Sequence, residues 1–178
     1  MKGDYFMYTG NAYPHKNLSR LIVAMVILNE KKTIKLKISS SRSVFTDRLQ
    51  KIITENNAQK YVELLGYVPD DKIKTLYKNS IAFVFPTLAE GFGLPPMEAI
   101  NSGTLAVVSN IPVLKEVYED SVLYFDTMDT NSIVKALQNV LKISNEDRDK
   151  MIKKSQKFLK KYSWQKMAKE TLNIYESV

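Results

Sequence analysis

Short apolar runs alternate with amphipathic stretches over most of the chain. Six runs have the composition and length of strands: Tyr5–Thr9, Ile34–Ser39, Tyr61–Leu65, Ile81–Phe85, Leu105–Val108 and Val122–Phe125. Between them, apolar residues three and four positions apart predict helices over Leu18–Leu28, about Val44–Asn56 and Asp70–Lys78. Strands that alternate with helices indicate a parallel sheet covered on both faces. The predicted fold class is α/β, a Rossmann-like doubly wound parallel sheet of about six strands with a helical C-terminus.

The run Ile81–Phe85 is apolar at every position and stops at Pro86, and Leu105–Val108 is a second continuously apolar run. This profile is typical of a central parallel strand that is buried on both faces. A doubly wound sheet binds its ligands beyond the carboxyl ends of its strands. The segment that follows Phe85 therefore lies at the edge where a ligand is expected.

The last part of the chain is helical by the same criterion. Helices are predicted over about 131–142, 146–160 and 164–177, with Ser144 and Ser163 placed to cap the last two. The final helix carries an apolar stripe formed by Trp164, Met167, Ala168, Leu172 and Tyr175. This stripe has two interpretations: it packs on the domain's own sheet or helices, or it is exposed and contacts another domain or a second copy.

The composition is that of an ordinary globular domain, with 178 residues, 44% of them hydrophobic and 25% charged. The chain has no cysteine and a single histidine, His15, which excludes disulfides and cysteine- or histidine-based metal sites. No apolar run approaches the roughly 18 residues of a membrane span, and no signal peptide opens the sequence. These features favour a cytoplasmic protein.

The net charge of +7 directs attention to anionic partners. Much of the excess comes late in the chain, from Lys150, Lys153, Lys154, Lys157, Lys160, Lys161, Lys166 and Lys169. Such lysines form either a solvated helix face or a contact with an anionic membrane surface, and both interpretations stay open. Nucleic acid is not predicted as a partner, because no recognised binding motif or arginine-rich surface accompanies the lysines.

The segment from Glu90 to Glu98 carries most of the functional information. A helix cannot run through it, because Pro95 and Pro96 fit only the first turn of a helix. We therefore expect Glu90 in a loop and Glu98 in the opening turn of a helix that begins at one of the prolines. A glutamate in a first turn also serves as an ordinary helix cap, so Glu98 alone does not indicate function.

The residues between the two glutamates suit a phosphate. Gly91 and Gly93 let bare backbone approach a ligand closely, and the helix N-terminus behind them offers free N–H groups and the positive end of its dipole. Carboxylates that accept hydrogen bonds from hydroxyls flank this anion cradle. The ligand that fits such a layout is a nucleotide-sugar.

A second phosphate signal follows the first predicted strand. Gly10 gives the backbone room at a strand-to-helix turn, and Lys16 supplies a positive charge near the start of the next helix. The segment is not a Rossmann dinucleotide fingerprint, because the second and third glycines are missing. It is not a P-loop either, since no Gly-Lys-Ser/Thr follows. Taken alone, this signal is weak.

The whole string from Glu90 to Glu98, with its Gly-Phe-Gly-Leu-Pro core and closing Glu-Ala, resembles the E-x7-E element of retaining glycosyltransferases of the GT-B fold. The resemblance is to the large family 4, or group 1, set. It implies that Glu98 holds the ribose hydroxyls and that Glu90 is the catalytic residue, contacting hydroxyls of the donor sugar. The donor-binding residues that it implies are Gly10, Asn11, Lys16, Tyr67, Val68, Glu90, Gly91, Phe92, Gly93, Leu94 and Glu98.

The chain departs from the family pattern in two places. Similar enzymes carry an arginine where Asn11 stands, so the missing charge weakens the phosphate clamp or is supplied by Arg42 or His15. Ser39-Ser40-Ser41 also stands where glycines are usual. After the third strand, Tyr67 and Val68 are expected to meet the nucleobase; the alternative is a plain turn in which Asp70 caps the next helix.

The resemblance also implies an architecture and a reaction. Residues 1–178 look like a single nucleotide-sugar-binding domain, the C-terminal half of a two-domain hexosyltransferase, with Met1-Lys2-Gly3 as a cloned or truncated start. The implied donor is a UDP- or GDP-sugar, transferred with retention and without a cofactor or metal. The acceptor, a saccharide or lipid-linked saccharide, would be held by the absent N-terminal domain at the inner face of the membrane, so this chain alone is expected to be inactive.

Two alternatives come from different functional classes. A nucleotide-binding module without transferase activity is favoured by Asn11 alone. A basic α/β domain that binds membrane surfaces is favoured by the net charge.

Overall fold

The computed structural model describes residues 3–30 and 33–177 and places six strands in one parallel sheet. The strands are β1 Tyr5–Thr9, β2 Lys35–Ser39, β3 Val62–Gly66, β4 Phe83–Phe85, β5 Ala106–Ser109 and β6 Leu123–Phe125. Their order is β3-β2-β1-β4-β5-β6, and every neighbouring pair is parallel. The order reverses between β1 and β4, so the ligand crevice of this doubly wound sheet opens at their carboxyl ends. The predicted fold class is confirmed.

Eight α-helices lie in the described part of the chain. They are α1 Leu18–Leu28, α2 Val44–Glu55, α3 Asp70–Asn79, α4 Leu94–Asn101, α5 Pro112–Tyr118, α6 Thr130–Lys142, α7 Asn145–Leu159 and α8 Trp164–Glu176. Helix α1 packs with α2 and α6, whereas α4 packs with α3 and α7. Right-handed crossovers place these two groups on opposite faces of the sheet. None of the described helices is both long and apolar enough to cross a bilayer.

The centre of the sheet is an aromatic and aliphatic core. All of β4 is buried, as predicted for a strand covered on both faces. The rings of Tyr8, Phe83 and Phe85 stack with centroids 5.9 to 6.4 Å apart, and Tyr77 of α3 meets Phe83 edge-on at 5.5 Å. Because the side chains of these central strands form the core, the polar side chains that could bind a ligand lie at the carboxyl ends of the strands.

One helix start, one expected cap and one whole helix differ from the predictions. Helix α4 begins at Leu94, so Glu98 is its fifth residue and lies just past the first turn instead of in it. The reason is that Gly93, with a φ of 84°, ends the preceding loop one residue earlier than the prolines suggested. Asp70 is the first residue of α3 and not its cap, a position taken by Pro69. Helix α5 was not predicted, because its seven residues are too few for a periodic pattern to emerge.

The other predicted strands and helices are present, and their ends differ from the predicted ones by no more than two residues. Glu90 lies in a loop, and Ser144 and Ser163 cap α7 and α8 by accepting hydrogen bonds from Asp147 N and Lys166 N. Met1 and Lys2 of the expected cloned or truncated start lie outside the described residues.

Helix α8 stands apart from the core. No residue of this helix is buried, and Trp164 and Tyr175 are 70% and 76% exposed. The interpretation in which its apolar stripe packs on the domain's own sheet is therefore wrong. The alternative, a stripe accessible to solvent, is confirmed for Met167 and Leu172, which are also exposed.

Candidate functional site

A cavity of about 410 Å³ lies at the carboxyl ends of β1, β2 and β3. Five of the eleven residues predicted to bind a donor line it: Gly10, Asn11, Tyr67, Val68 and Glu98. A groove of about 600 Å³ adjoins it between α3 and α4 and shares the side chains of Tyr77 and Glu98 with it. The residues from the ends of three strands therefore meet in one place, as the topology requires.

Three residues that line the cavity carry buried hydroxyl groups with no hydrogen-bond partner among the described residues. They are Thr9 Oγ1, Ser40 Oγ and the phenol of Tyr77. The Ser40 and Tyr77 side chains are more than nine-tenths buried, and buried hydroxyls are normally hydrogen-bonded. Three such groups in residues that line one cavity point to a polar ligand. Sequence reasoning missed them, because a serine, a threonine and a tyrosine in separate elements form no motif.

The phenol of Tyr77 is a donor at neutral pH. Burial raises its pKa to about 12, and the nearby Glu98 carboxylate adds to the rise while the Thr9 side chain opposes it. Thr9 lies close to Tyr77, but the two hydroxyls do not meet hydrogen-bond geometry. Glu98 itself is exposed on α4 at the mouth of the cavity. A buried, protonated phenol thus lies near an exposed carboxylate, and both residues line the cavity.

Lys16 and Glu90 lie beside this cavity and bind each other. Lys16 Nζ donates to Glu90 Oε1, and their side chains are only 12% and 13% exposed. The ammonium also lies 5.5 Å from the ring centroid of Phe85 at the end of β4. The structure therefore brings together two predicted site residues that are 74 positions apart, but as an ion pair and not as open ligands.

Backbone hydrogen bonds fix the loop of Lys16 against the loop of Glu90. The carbonyl of His15 accepts from Leu88 N at 2.7 Å and from Thr87 Oγ1 at 3.3 Å. Thr87 is fully buried, and its hydroxyl also donates to the carbonyl of Ala89 at 2.9 Å. These bonds join residues next to Lys16 to residues next to Glu90, so the backbone on both sides of the ion pair is held in place.

A third loop, the one after β6, also holds the loops of Lys16 and Glu90 in place. Asn17 adopts a left-handed conformation with a φ of 56° and is buried. Its Nδ2 donates to both the carbonyl and the hydroxyl of Thr127 at 2.9 Å, and the Thr127 hydroxyl donates to the carbonyl of Pro86. Sequence reasoning did not identify Asn17 or Thr127. The one local signal in the sequence was an asparagine directly before a helix, because asparagine is favoured at helix starts and tolerates left-handed backbone.

The start of α4 is shaped by Gly93. A Cβ at this position would lie 2.6 Å from Leu114 Cδ2, and the φ of 84° disfavours any side chain. The Tyr118 hydroxyl donates to the Gly93 carbonyl, and burial raises the pKa of Tyr118 above its ordinary value. No side chain caps the N-terminus of α4. Because Pro95 and Pro96 carry no N–H, Leu94 is the one residue among the first three of this helix whose backbone can donate to an anion.

The remaining predicted residues of this segment line the approach to α4. No atom lies within 4 Å of a Cβ built on Gly91, so its backbone is open. Phe92 meets Tyr162 edge-on with ring centroids 5.3 Å apart, and Leu94 is 41% exposed. Among the described residues, no group of three or more histidine, cysteine, aspartate or glutamate side chains is arranged to hold a metal ion.

The sequence of this chain is similar to those of known proteins. Residues 1–158 match the family model described as Glycosyl transferases group 1. The O-antigen chain mannosyltransferase B of Escherichia coli is 31% identical over 176 residues, which cover 97% of this chain and 45% of that protein. The O-antigen chain mannosyltransferase RfbU of Salmonella typhimurium is 33% identical over 139 residues, or 78% of this chain and 39% of that protein. The chain spans less than half the length of these relatives.

Solved structures share the fold. Sucrose-phosphate synthase from Thermosynechococcus elongatus superposes with a TM-score of 0.86 at 21% identity, over 97% of this chain and 45% of that one. A mutant of S. aureus TarM, solved with UDP and other ligands, gives a TM-score of 0.83 at 22% identity, over 97% of this chain and 35% of that one. At these identities the likeness concerns architecture only.

Proposed function

The chain belongs to the group 1 glycosyl transferases, and from that premise we propose that it is the donor-binding domain of a hexosyltransferase. The observation that carries the proposal is the cavity at the carboxyl ends of β1 to β3, where three unpartnered hydroxyls meet the Glu98 carboxylate. Hydroxyl and carboxylate groups together suit the ribose and base of a nucleotide. The uncapped N-terminus of α4 suits its diphosphate.

In this proposal the nucleotide runs across the ends of the strands. The base lies near Tyr67 and Val68 after β3, the ribose hydroxyls donate to Glu98, and the diphosphate reaches the backbone of Phe92–Leu94. Gly10 and Asn11, which line the same cavity, leave room for the phosphates. The donor is a UDP- or GDP-sugar.

Lys16 and Glu90 perform the chemistry. For the donor to bind, their ion pair opens, so that Lys16 turns to the diphosphate and Glu90 to the hydroxyls of the sugar. As the bond between the sugar and the diphosphate breaks, negative charge grows on the leaving group, and Lys16 with the backbone N–H groups of Phe92–Leu94 stabilises it. Fixed positive charge in this position needs no cofactor or divalent metal, and the sugar is transferred with retention.

The relatives narrow the substrate. Two of them are named O-antigen chain mannosyltransferases, which supports a mannosyl donor and a saccharide acceptor at the cytoplasmic face of a membrane. Because the chain covers 45% or less of these proteins, we propose that a second, N-terminal domain holds the acceptor. The exposed stripe of α8 is the surface that would contact that domain.

A second candidate function rests on Asn11. An uncharged side chain at the phosphate end of the cavity fits a module that binds nucleotides without transferring sugar. The two functions share the nucleotide site and differ in turnover by the full-length protein.

Calorimetric titration with UDP and GDP tests the shared claim. The 178-residue chain should bind at least one diphosphate, and a Lys16→Ala variant should bind it only a few-fold more weakly, because binding exchanges one ion pair of Lys16 for another. The chain alone should show no transfer to an acceptor, since one wall of the cleft is absent. Failure of both diphosphates to bind would overturn the proposal.

A further inference from the structure

The cavity beside β1 to β3 has an unusual charge balance for a diphosphate site. Three charged side chains line it: Asp70, Glu98 and Arg42. Two carboxylates against one cation would repel a ligand that carries two or more negative charges. A diphosphate therefore depends on whatever positive charge the cavity offers.

The other cations near the cavity are paired within the chain or lie outside its wall, as Lys74 and Lys78 of the adjoining groove do. Lys16 is paired with Glu90, and Arg20 donates to the carbonyl of Thr127 at 2.9 Å. His15 does not line the cavity, and its ring lies 5.9 Å from that of Tyr13. By contrast, the exposed Arg42 guanidinium forms no ion pair with any described residue.

The backbone that carries Arg42 is held on both sides. Ser40 N donates to the Gly66 carbonyl at 3.1 Å, which fixes the loop against the end of β3. One residue after Arg42, Ser43 caps α2 and exchanges hydrogen bonds with Thr46 in a capping box. A flexible charged side chain thus extends from a rigid base. This base stands at the end of β2, the strand between β1, which leads to Gly10, and β3.

We propose that Arg42 is the cation that binds the diphosphate of the donor from within this cavity, where Asn11 carries no charge, while Lys16 acts from outside it. The inference rests on the proposed function and adds a residue to it. A guanidinium can donate two parallel hydrogen bonds to phosphate oxygens, which a single ammonium cannot do.

The test compares three variants of the chain by calorimetry and by NMR titration. Arg42→Gln should weaken binding of UDP or GDP by about ten-fold or more and leave binding of uridine and guanosine unchanged. Arg42→Lys should recover part of the loss, because it restores the charge without the paired donors. The matched control is Arg48→Gln, an exposed arginine on α2 that lies over the Phe45 ring and does not line the cavity.

Each contrary outcome has a distinct meaning. If Arg42→Gln binds diphosphates as the unaltered chain does, the inference is wrong and the proposed function stands. If the variant loses nucleoside and diphosphate binding equally, Arg42 contacts the base or ribose, and the inference is again wrong. An unaltered chain that binds neither UDP nor GDP overturns the proposed function and this inference with it. Thermal unfolding of each variant separates these effects from loss of fold.

Discussion

Two parts of the site differ in how their polar groups are paired within the chain. In what we call the paired half, Lys16 and Glu90 bind each other, and their loops are joined through the His15 carbonyl. In the unpaired half, the hydroxyls of Ser40 and Tyr77 have no hydrogen-bond partner among the described residues, and Thr9 and Arg42 contribute further unpaired groups.

In the proposed function, this difference separates binding from catalysis. A ligand in the unpaired half gives partners to groups that have none, so its interactions add to affinity. A ligand in the paired half must exchange one ion pair for others, so its interactions add less to ground-state binding. In the proposed reaction, the interactions of the paired half act when charge develops on the leaving group, and they raise the rate of sugar transfer. Substitutions in the two halves should therefore affect different measurements.

Glu90→Gln should have the largest effect, and on turnover. In the full-length enzyme we expect kcat to fall about 100-fold, the usual size of a lost transition-state contact. Affinity of the 178-residue chain for the bare diphosphate should not fall, because the change releases Lys16 from its ion pair. Steady-state kinetics and calorimetry check the two results. Glu63→Gln, which removes the partner of Lys37 at 3.9 Å on the outer strands, is the control and should change neither.

Glu98→Gln should have a smaller effect, and on affinity. Loss of a charged acceptor for a ribose hydroxyl should weaken UDP or GDP binding about ten-fold. Binding of uridine or guanosine should be weakened to the same extent, since these nucleosides contain the same ribose as the diphosphates. Calorimetry and NMR titration supply these values. If Glu90→Gln and Glu98→Gln reduce diphosphate affinity equally, the division between the two halves is wrong.

Tyr77→Phe should have the smallest effect, with opposite signs on binding and stability. Removing a buried hydroxyl that has no partner should leave the melting temperature unchanged or raise it. The same change should weaken diphosphate binding a few-fold, because the ligand loses a donor. The contrast is Tyr5→Phe, which removes a 2.8 Å hydrogen bond to the Leu76 carbonyl. That variant should lose about 1 kcal/mol of stability and no affinity. A Tyr77→Phe variant that melts lower and binds normally would contradict this account.

The sequence predicted the sheet better than the site. The continuous apolar run before Pro86 was enough to identify the buried β4, and the proline pair was enough to place Glu90 in a loop. Local patterns of this kind reflect the chain's own periodicity and sterics. The start of α4 was misplaced because the conformation of Gly93 depends on Leu114 and Tyr118, far along the chain.

The contacts that define the site are long-range, which is why they escaped prediction. Asn17 and Thr127 are 110 positions apart, and no local rule relates an amide before one helix to a hydroxyl before another. The absence of partners at Ser40 and Tyr77 is likewise a property of the assembled core. The family motif named residues around the start of α4 as donor-binding, and this stays a prediction. The motif did not predict that Lys16 and Glu90 would bind each other.

Mapping UDP and GDP onto the chain by amide NMR tests the central claim most directly. The account predicts that the largest shifts fall on Gly10, Ser40, Tyr67 and the start of α4 at Leu94, with little change along α7 and α8. Inorganic polyphosphate at equal charge should not reproduce this pattern, because it offers no ribose or base. Shifts confined to the lysine-rich surface of α7, and equal for polyphosphate and nucleotide, would contradict the account and favour a nonspecific polyanion-binding domain.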